Sequence, residues 1–215
     1  MSNSSRQDRG QFRRGDKIIE VMAVLLLGIA TVGSAWCGYE ATKWGSDEGS
    51  LSRRASDSQV EGARLFNLAT QYVSYDSMIV SQYAQAIAAE NDKLGQFYRD
   101  TLIRKEFIPI LDQWQQQWDA GQSPTPLLDD QQYLDQQFGE YRSATATSAD
   151  LTTQAQQARE NADKYILTTL LLASGLFFAG VIGSFKLRFS RLALLFGAAL
   201  AIAAAGARLA GLPVS

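Results

Sequence analysis

The chain has 215 residues, a formal net charge of −2, no histidine and a single cysteine, Cys37. Without histidine it lacks the commonest metal ligand and the usual general base near neutral pH, and one cysteine cannot close an intrachain disulfide. The mean hydropathy of −0.13 averages three apolar blocks with a polar middle, which excludes one evenly mixed globular core.

Residues 1–17 hold five basic and two acidic side chains and no apolar period. They read as a disordered tail whose arginines act as a topology signal, with contact to anionic lipid as the lesser reading. The first block, Ile18 to Tyr39, has an apolar core of about twenty residues, long for a cleaved signal peptide, so a retained signal anchor is expected. Glu20 lies one turn into it and can snorkel or pair with Lys17 or Arg14; a role in a transport path is the lesser reading. At the exit, Trp36, Tyr39 and Lys43 fall three and four apart on one helical face. With Trp44 they read as membrane-interface anchors against membrane lipids. Gly45 and Gly49 flank Asp47 and Glu48, a composition that predicts a break or bend.

From Leu51 to about Glu90 a helical stripe runs through Leu65, Leu68, Tyr72, Tyr75, Ile79, Tyr83 and Ala86 at steps of three or four. A second arm, Lys93 to Trp118, carries Leu94, Phe97, Leu102, Ile108, Leu111, Trp114 and Trp118. Leu65, Tyr72, Tyr75, Ile79, Trp114 and Trp118 form the candidate bundle stripe. Core packing is the first reading of it and a ligand groove the second, because buried tyrosine tips need partners. Asn91 is a candidate helix cap, Pro109 should bend or split the second arm near Glu106, and Gly121 to Pro126 is a loop. Asp129 or Asp130 can cap the next helix.

That helix, Gln131 to Phe185, passes from a soluble pattern into an apolar one with no Pro or Gly at the crossing. Leu134, Phe138, Tyr141, Ser148, Leu151, Ala155, Ala158, Ala162 and Tyr165 repeat at three, four or seven. From Tyr165 to Phe185 no residue is charged, enough at 1.5 Å per residue to cross roughly 30 Å of hydrocarbon. The small contact positions before Tyr165 imply a close neighbour, either the first outer helix of the same chain or another subunit. After the basic link Lys186, Arg188 and Arg191, the third block, Leu192 to Leu212, places Gly197, Ala201 and Ala205 at intervals of four. Ala179 and Gly183 share that interval, so these small residues are expected to pack the last two spans together, and homo-oligomerisation through a leftover small face stays open.

Residues 40–164 hold 19 acidic and 11 basic side chains, a net of −8. Since basic residues near spans stay cytoplasmic, the N-terminus and the 186–191 link are expected inside and the middle region outside. The expected fold is an all-α membrane protein. Three transmembrane helices (18–44, 165–185, 192–215) accompany an extracytoplasmic up-and-down helical bundle, 45–164, between the first and second.

No Gly-rich phosphate loop and no paired His or Cys ligand set occurs, and the carboxylate pairs Asp47 with Glu48 and Asp129 with Asp130 are loop or cap acids in context. A Ser-Lys nucleophile stays open. The expectation is no catalytic residue, no cofactor and no metal, and the acidic middle region argues against nucleic acid. Four segments, Trp36 to Trp44, Phe97-Tyr98-Arg99 followed by Glu106-Phe107-Ile108-Pro109, Tyr165-Ile166-Leu167 running into Leu176 to Gly180, and Leu209 to Val214, resemble a family of uncharacterised bacterial three-span inner-membrane proteins. The likeness covers most of the chain in order; the Gln-rich runs Gln113 to Gln117 and Gln154 to Gln157 depart from it. It implies a bacterial inner membrane and no particular activity. The leading expectation is therefore a non-enzymatic membrane protein whose bundle mediates protein–protein interaction, as a homo-oligomer or with other envelope proteins. The alternatives are a homo-oligomeric channel or transporter subunit and a sensory receptor whose output lies in a separate protein.

Overall fold

In the computed structural model the described residues are 17 to 214. The expected basic tail, residues 1–17, lies outside the described residues except for Lys17. About 89% of the chain is helical with no strand, so packing between helices is the one source of a core among the described residues. The elements in order are α1 (Ser4–Ala88), α2 (Asp92–Phe97), a π-helical turn (Tyr98–Leu102), a 3-10 turn (Lys105–Phe107) and α3 (Ile108–Asp119). A further 3-10 turn (Leu127–Asp129), α4 (Gln131–Val181), a 3-10 turn (Ile182–Ser184) and α5 (Arg188–Leu209) complete the order. Three helices, α1, α4 and α5, are long and apolar enough to cross a membrane, consistent with a multi-pass membrane protein.

The break expected at Gly45 and Gly49 is absent: α1 is helical throughout that stretch. A helix-interior glycine costs only about 1 kcal/mol, less than what a long helix recovers by burying one face on each side of it. The other punctuation is as the residues demand. Asn91 Oδ1 accepts from the Leu94 amide and Asp130 Oδ1 from the Tyr133 amide, capping α2 and α4. The turn between α1 and α2 is made by Glu90 at φ 54, and α3 ends at Gly121 with φ 73. Pro109 stands in the first turn of α3, where its missing amide donor costs nothing, and the split falls ahead of it at Ile103 and Arg104, both extended.

The chain divides into two compact units. One is the part up to Ser52 together with the part from Thr152; the other is Arg53–Leu151. In the first unit α1, α4 and α5 meet around Ala30, Cys37, Tyr165, Leu172 and Ala205, with a second cluster of Ile19, Ala23 and Ile182. Ala23, Ala30 and Cys37 recur every seventh residue on α1, as do Ala158, Tyr165, Leu172 and Ala179 on α4, the spacing of a left-handed coiled coil. The helices approach closely where a glycine allows it. A methyl group on Gly175 would sit 2.9 Å from Ile202 Cγ1, and one on Gly33 would sit 3.1 Å from Leu172 Cδ1.

In the second unit the core is larger in side chain: Val73, Ile79, Val80, Tyr83, Ile103, Phe107, Leu111, Leu127 and Tyr133. The α1 and α4 parts of this unit run antiparallel, since Ser58 Oγ donates to the Ala144 carbonyl while Ser148 Oγ donates to that of Ala55, at 3.0 and 2.9 Å.

Candidate functional site

Two arrangements stand out, one in each unit. The first is the outward face of α1 in the apolar region. Gly28, Thr31, Ala35, Gly38, Thr42 and Gly45 repeat at steps of three and four, and all six are exposed. A methyl group on Gly28, Gly38 or Gly45 would meet nothing within 4 Å. The two threonines turn their hydroxyls back, Thr31 Oγ1 to the Leu27 carbonyl at 2.7 Å and Thr42 Oγ1 to that of Gly38 at 2.9 Å. What remains is a smooth, shallow track with no polar group asking for water. It is the shape that lets a second helix approach at backbone distance in lipid.

The sequence reading missed this face. The expected small-residue packing lies on α4 and α5, and Gly45 fits a break by composition. The available signal is the unbroken three-four spacing from Gly28 to Gly45, offset from the inward row of buried Ala30, Cys37 and Glu40 with half-buried Gly33.

Beside the track, Trp36 and Tyr39 are exposed with ring centroids 5.9 Å apart, and Lys43 Nζ lies 5.8 Å from the centre of the Tyr39 ring. These three share one outward face. Trp44 departs from them, half-buried against the cluster that contains Cys37 and Tyr165. Glu40, one turn before it, is 1% exposed, a burial the sequence reading did not single out. Among the small residues expected to pack α4 on α5, Ala179 and Ala205 are buried, Ala201 is half-buried, and Gly197 receives the ring of Phe178. Gly183 is corrected: it is exposed in the 3-10 turn after α4 and meets nothing. Its place in the close contact is taken by Gly175, Ala198 and Ile202.

The second arrangement is a polar knot inside the second unit. Asp76 is 2% exposed. Its Oδ1 accepts from Arg104 Nε at 2.9 Å, and its Oδ2 accepts from Tyr133 Oη at 2.8 Å and from Arg104 Nη2. Arg104 Nη2 also donates to Gln137 Oε1 at 3.3 Å, and its guanidinium lies 4.2 Å from the centre of the Tyr72 ring. Hydrogen bonding to Asp76 holds the Arg104 pKa above its ordinary value, and burial followed by the Asp76 hydrogen bond raises that of Tyr133. Both oxygens of Asp76 are engaged. The knot therefore ties α1, the extended Ile103–Arg104 link and α4 together and offers no free base.

The remaining stripe residues fall around it. Tyr75 Oη donates to the Leu102 carbonyl at 2.7 Å, Ile79 is buried, and Leu65 is half-buried. Trp114 Nε1 donates to the Thr125 carbonyl at 2.6 Å, fixing the loop after α3. Tyr72 is exposed and serves the Arg104 cation instead of the core, and Trp118, at 54% exposure, is not a core residue. Tyr83, Ile87, Trp114, Trp118 and Pro124 line an apolar groove of about 220 Å³ at this end of the unit. The polar tips of Tyr83 and Gln115 in it are already used: Tyr83 Oη donates to Gln115 Oε1, and Gln115 Nε2 donates to Asp119. Among the described residues no group of three metal-ligating side chains converges.

Comparison with family models, with curated proteins and with solved structures gives no match for this chain.

Proposed function

We propose that this is a three-span protein of the bacterial inner membrane that works by assembly and not by catalysis. A helix of a second copy, or of another envelope protein, lies against the small-residue face of α1, and the unit Arg53–Leu151 projects outside the cytoplasm as the interaction domain. The observation that carries this reading is the exposed track from Gly28 to Gly45, a helix-packing surface that no helix occupies among the described residues. The distribution of basic residues supports the orientation, and the family resemblance supports the bacterial inner membrane. A channel is less well supported. Thr31, Thr168, Thr169 and Ser174 spend their hydroxyls on carbonyls one turn back in the same helix, and the buried polar groups of Ser34, Glu40 and Thr168 are too few to line a continuous path for water across the span.

The test is the mass of the full-length protein in mild detergent and in lipid nanodiscs, by light scattering and native mass spectrometry. The expected result is a particle larger than one chain that falls to one chain when Ala35→Leu and Gly38→Leu are combined, both changes projecting into open space. A strictly monomeric wild type that captures no envelope protein overturns the reading. Reporter fusions that place residue 100 in the cytosol overturn the orientation.

A further inference from the structure

We infer that a cleft between α1 and α4 in the first unit binds the headgroup of a zwitterionic phospholipid, a primary ammonium joined to a phosphodiester. Trp44, Asp47, Ser50, Gln154, Gln157 and Asn161 line it, around a volume of about 370 Å³. Three observations converge on that ligand.

The first is depth. Trp44 lies five residues past Tyr39, the end of the first apolar block, and Asn161 lies four residues before Tyr165, the start of the second. At 1.5 Å per residue the lower end of the cleft is about 6–8 Å beyond the apolar blocks, at the outer edge of the headgroup layer that adds roughly 5–7 Å to each side of the hydrocarbon. Asp47 and Gln157 stand about 12 Å out, where the ammonium end of a headgroup extends into water. The second is charge. Asp47 lines the cleft, and Lys164 Nζ donates to the lining Asn161 Oδ1 at 3.2 Å, so one anion and one cation border it. The third is an unmet donor. Trp44 Nε1 is buried and has no hydrogen-bond partner, a state that costs about 1–3 kcal/mol and calls for an acceptor the protein does not supply.

A zwitterionic headgroup answers all three. Its ammonium donates to the Asp47 carboxylate, and its phosphodiester oxygens accept from the Lys164 ammonium, from the Asn161 and Gln157 amides and, after a small turn of the indole, from Trp44 Nε1. An anionic headgroup would face Asp47 with no ammonium to set against it. A trimethylated headgroup keeps the positive charge but has no N–H to donate.

The inference rests on α1 and α4 crossing the membrane. Recovery of the protein in the soluble fraction without detergent would break that premise, whereas lipid-blind binding breaks the inference alone. The measurement is native mass spectrometry of the full-length protein in detergent, titrated with phosphatidylethanolamine, phosphatidylcholine and phosphatidylglycerol of identical acyl chains. Phosphatidylethanolamine should be retained over the other two. Asp47→Asn, on an exposed side chain, should weaken it about tenfold, the loss expected when a charge-assisted hydrogen bond becomes a neutral one. Trp44→Phe, which keeps the ring and removes the donor, should weaken it severalfold. Equal retention of the three lipids, or retention unchanged in Asp47→Asn, overturns the assignment, as does capture of free phosphoethanolamine with no retention of the intact lipid.

Discussion

The two units bring α1 and α4 together with the same seven-residue repeat and opposite materials. In the first unit the buried α1 positions Ala23, Ala30 and Cys37 are small, and glycine lets Leu172 and Ile202 press against backbone. In the second, the repeat Ala55, Gly62, Ala69, Asp76 and Tyr83 begins small and ends in a carboxylate and an aromatic ring, within a core of Phe107, Leu111 and Tyr133. The difference follows from the solvent. In lipid, burying a leucine gains nothing over leaving it in the acyl chains, so close approach is what binds helices. In water, apolar area is the driving force, and large side chains with their polar tips satisfied supply the most of it.

The sharpest way to break this contrast is to open the polar knot. Asp76→Ala leaves the Arg104 guanidinium, 20% exposed, and the buried Tyr133 hydroxyl without their acceptor. Loss of one partner of a buried ion pair costs about 3–5 kcal/mol. Chemical denaturation of the full-length protein in detergent, followed by tryptophan fluorescence, should show the transition that reports Trp114 and Trp118 moving to lower denaturant by that amount. A shift under about 1 kcal/mol would mean the knot is ornamental.

The corresponding change in the first unit is steric. Gly175→Leu forces a side chain into Ile202, at a point where even a methyl group would come within 2.9 Å. Overpacking of this kind costs about 1–3 kcal/mol, read as a lower thermal midpoint in detergent. Gly180→Ala on the same helix meets nothing within 4 Å and should be neutral or slightly stabilising, so the pair separates close packing from helix propensity.

Most of the helical architecture was legible because its signals are local. Asn91, Asp130 and Pro109 act through their own backbones, and the apolar lengths of α1, α4 and α5 are read by counting. What escaped were facts that depend on which side of a helix meets which neighbour. Gly45 and Gly49 carry no side chain to report a partner, so their composition resembled a turn while the helix ran through them. Gly183 matched the spacing of Ala179, yet the 3-10 turn at Ile182 rotates it away from α5. Tyr72 and Trp118 fit the apolar stripe by period, but one serves a cation that arrives from an element 32 positions later and the other sits on the rim of a groove. Asp76 and Arg104 are far apart in sequence with no motif between them, and nothing short of the fold joins them.

The Tyr133 hydroxyl provides a gentler probe of the same knot. Its folded pKa is raised, so the protonated phenol is favoured by folding. Its contribution to stability is complete below the ordinary tyrosine pKa of about 10 and is lost as pH rises from there toward the higher folded value. Stability of the wild type should therefore fall on alkaline titration above about pH 10, and Tyr133→Phe should flatten that part of the profile. At neutral pH the same variant should cost about 1–2 kcal/mol, because Asp76 loses one donor and keeps Arg104.

The smallest expected effect tests where the second unit stops being core. Trp118 is 54% exposed, one turn beyond Trp114, whose indole is tied to the Thr125 carbonyl. Trp118→Ser should change the unfolding free energy by less than about 0.5 kcal/mol, the range for surface positions, while Trp114→Phe, which removes the hydrogen bond that ties the loop after α3, should cost about 1 kcal/mol. If Trp118→Ser destabilises as much as Trp114→Phe, the groove between Tyr83, Ile87 and Pro124 is closed in solution by the Trp118 ring, and the aromatic core of this unit extends one turn further along α3 than its exposure implies.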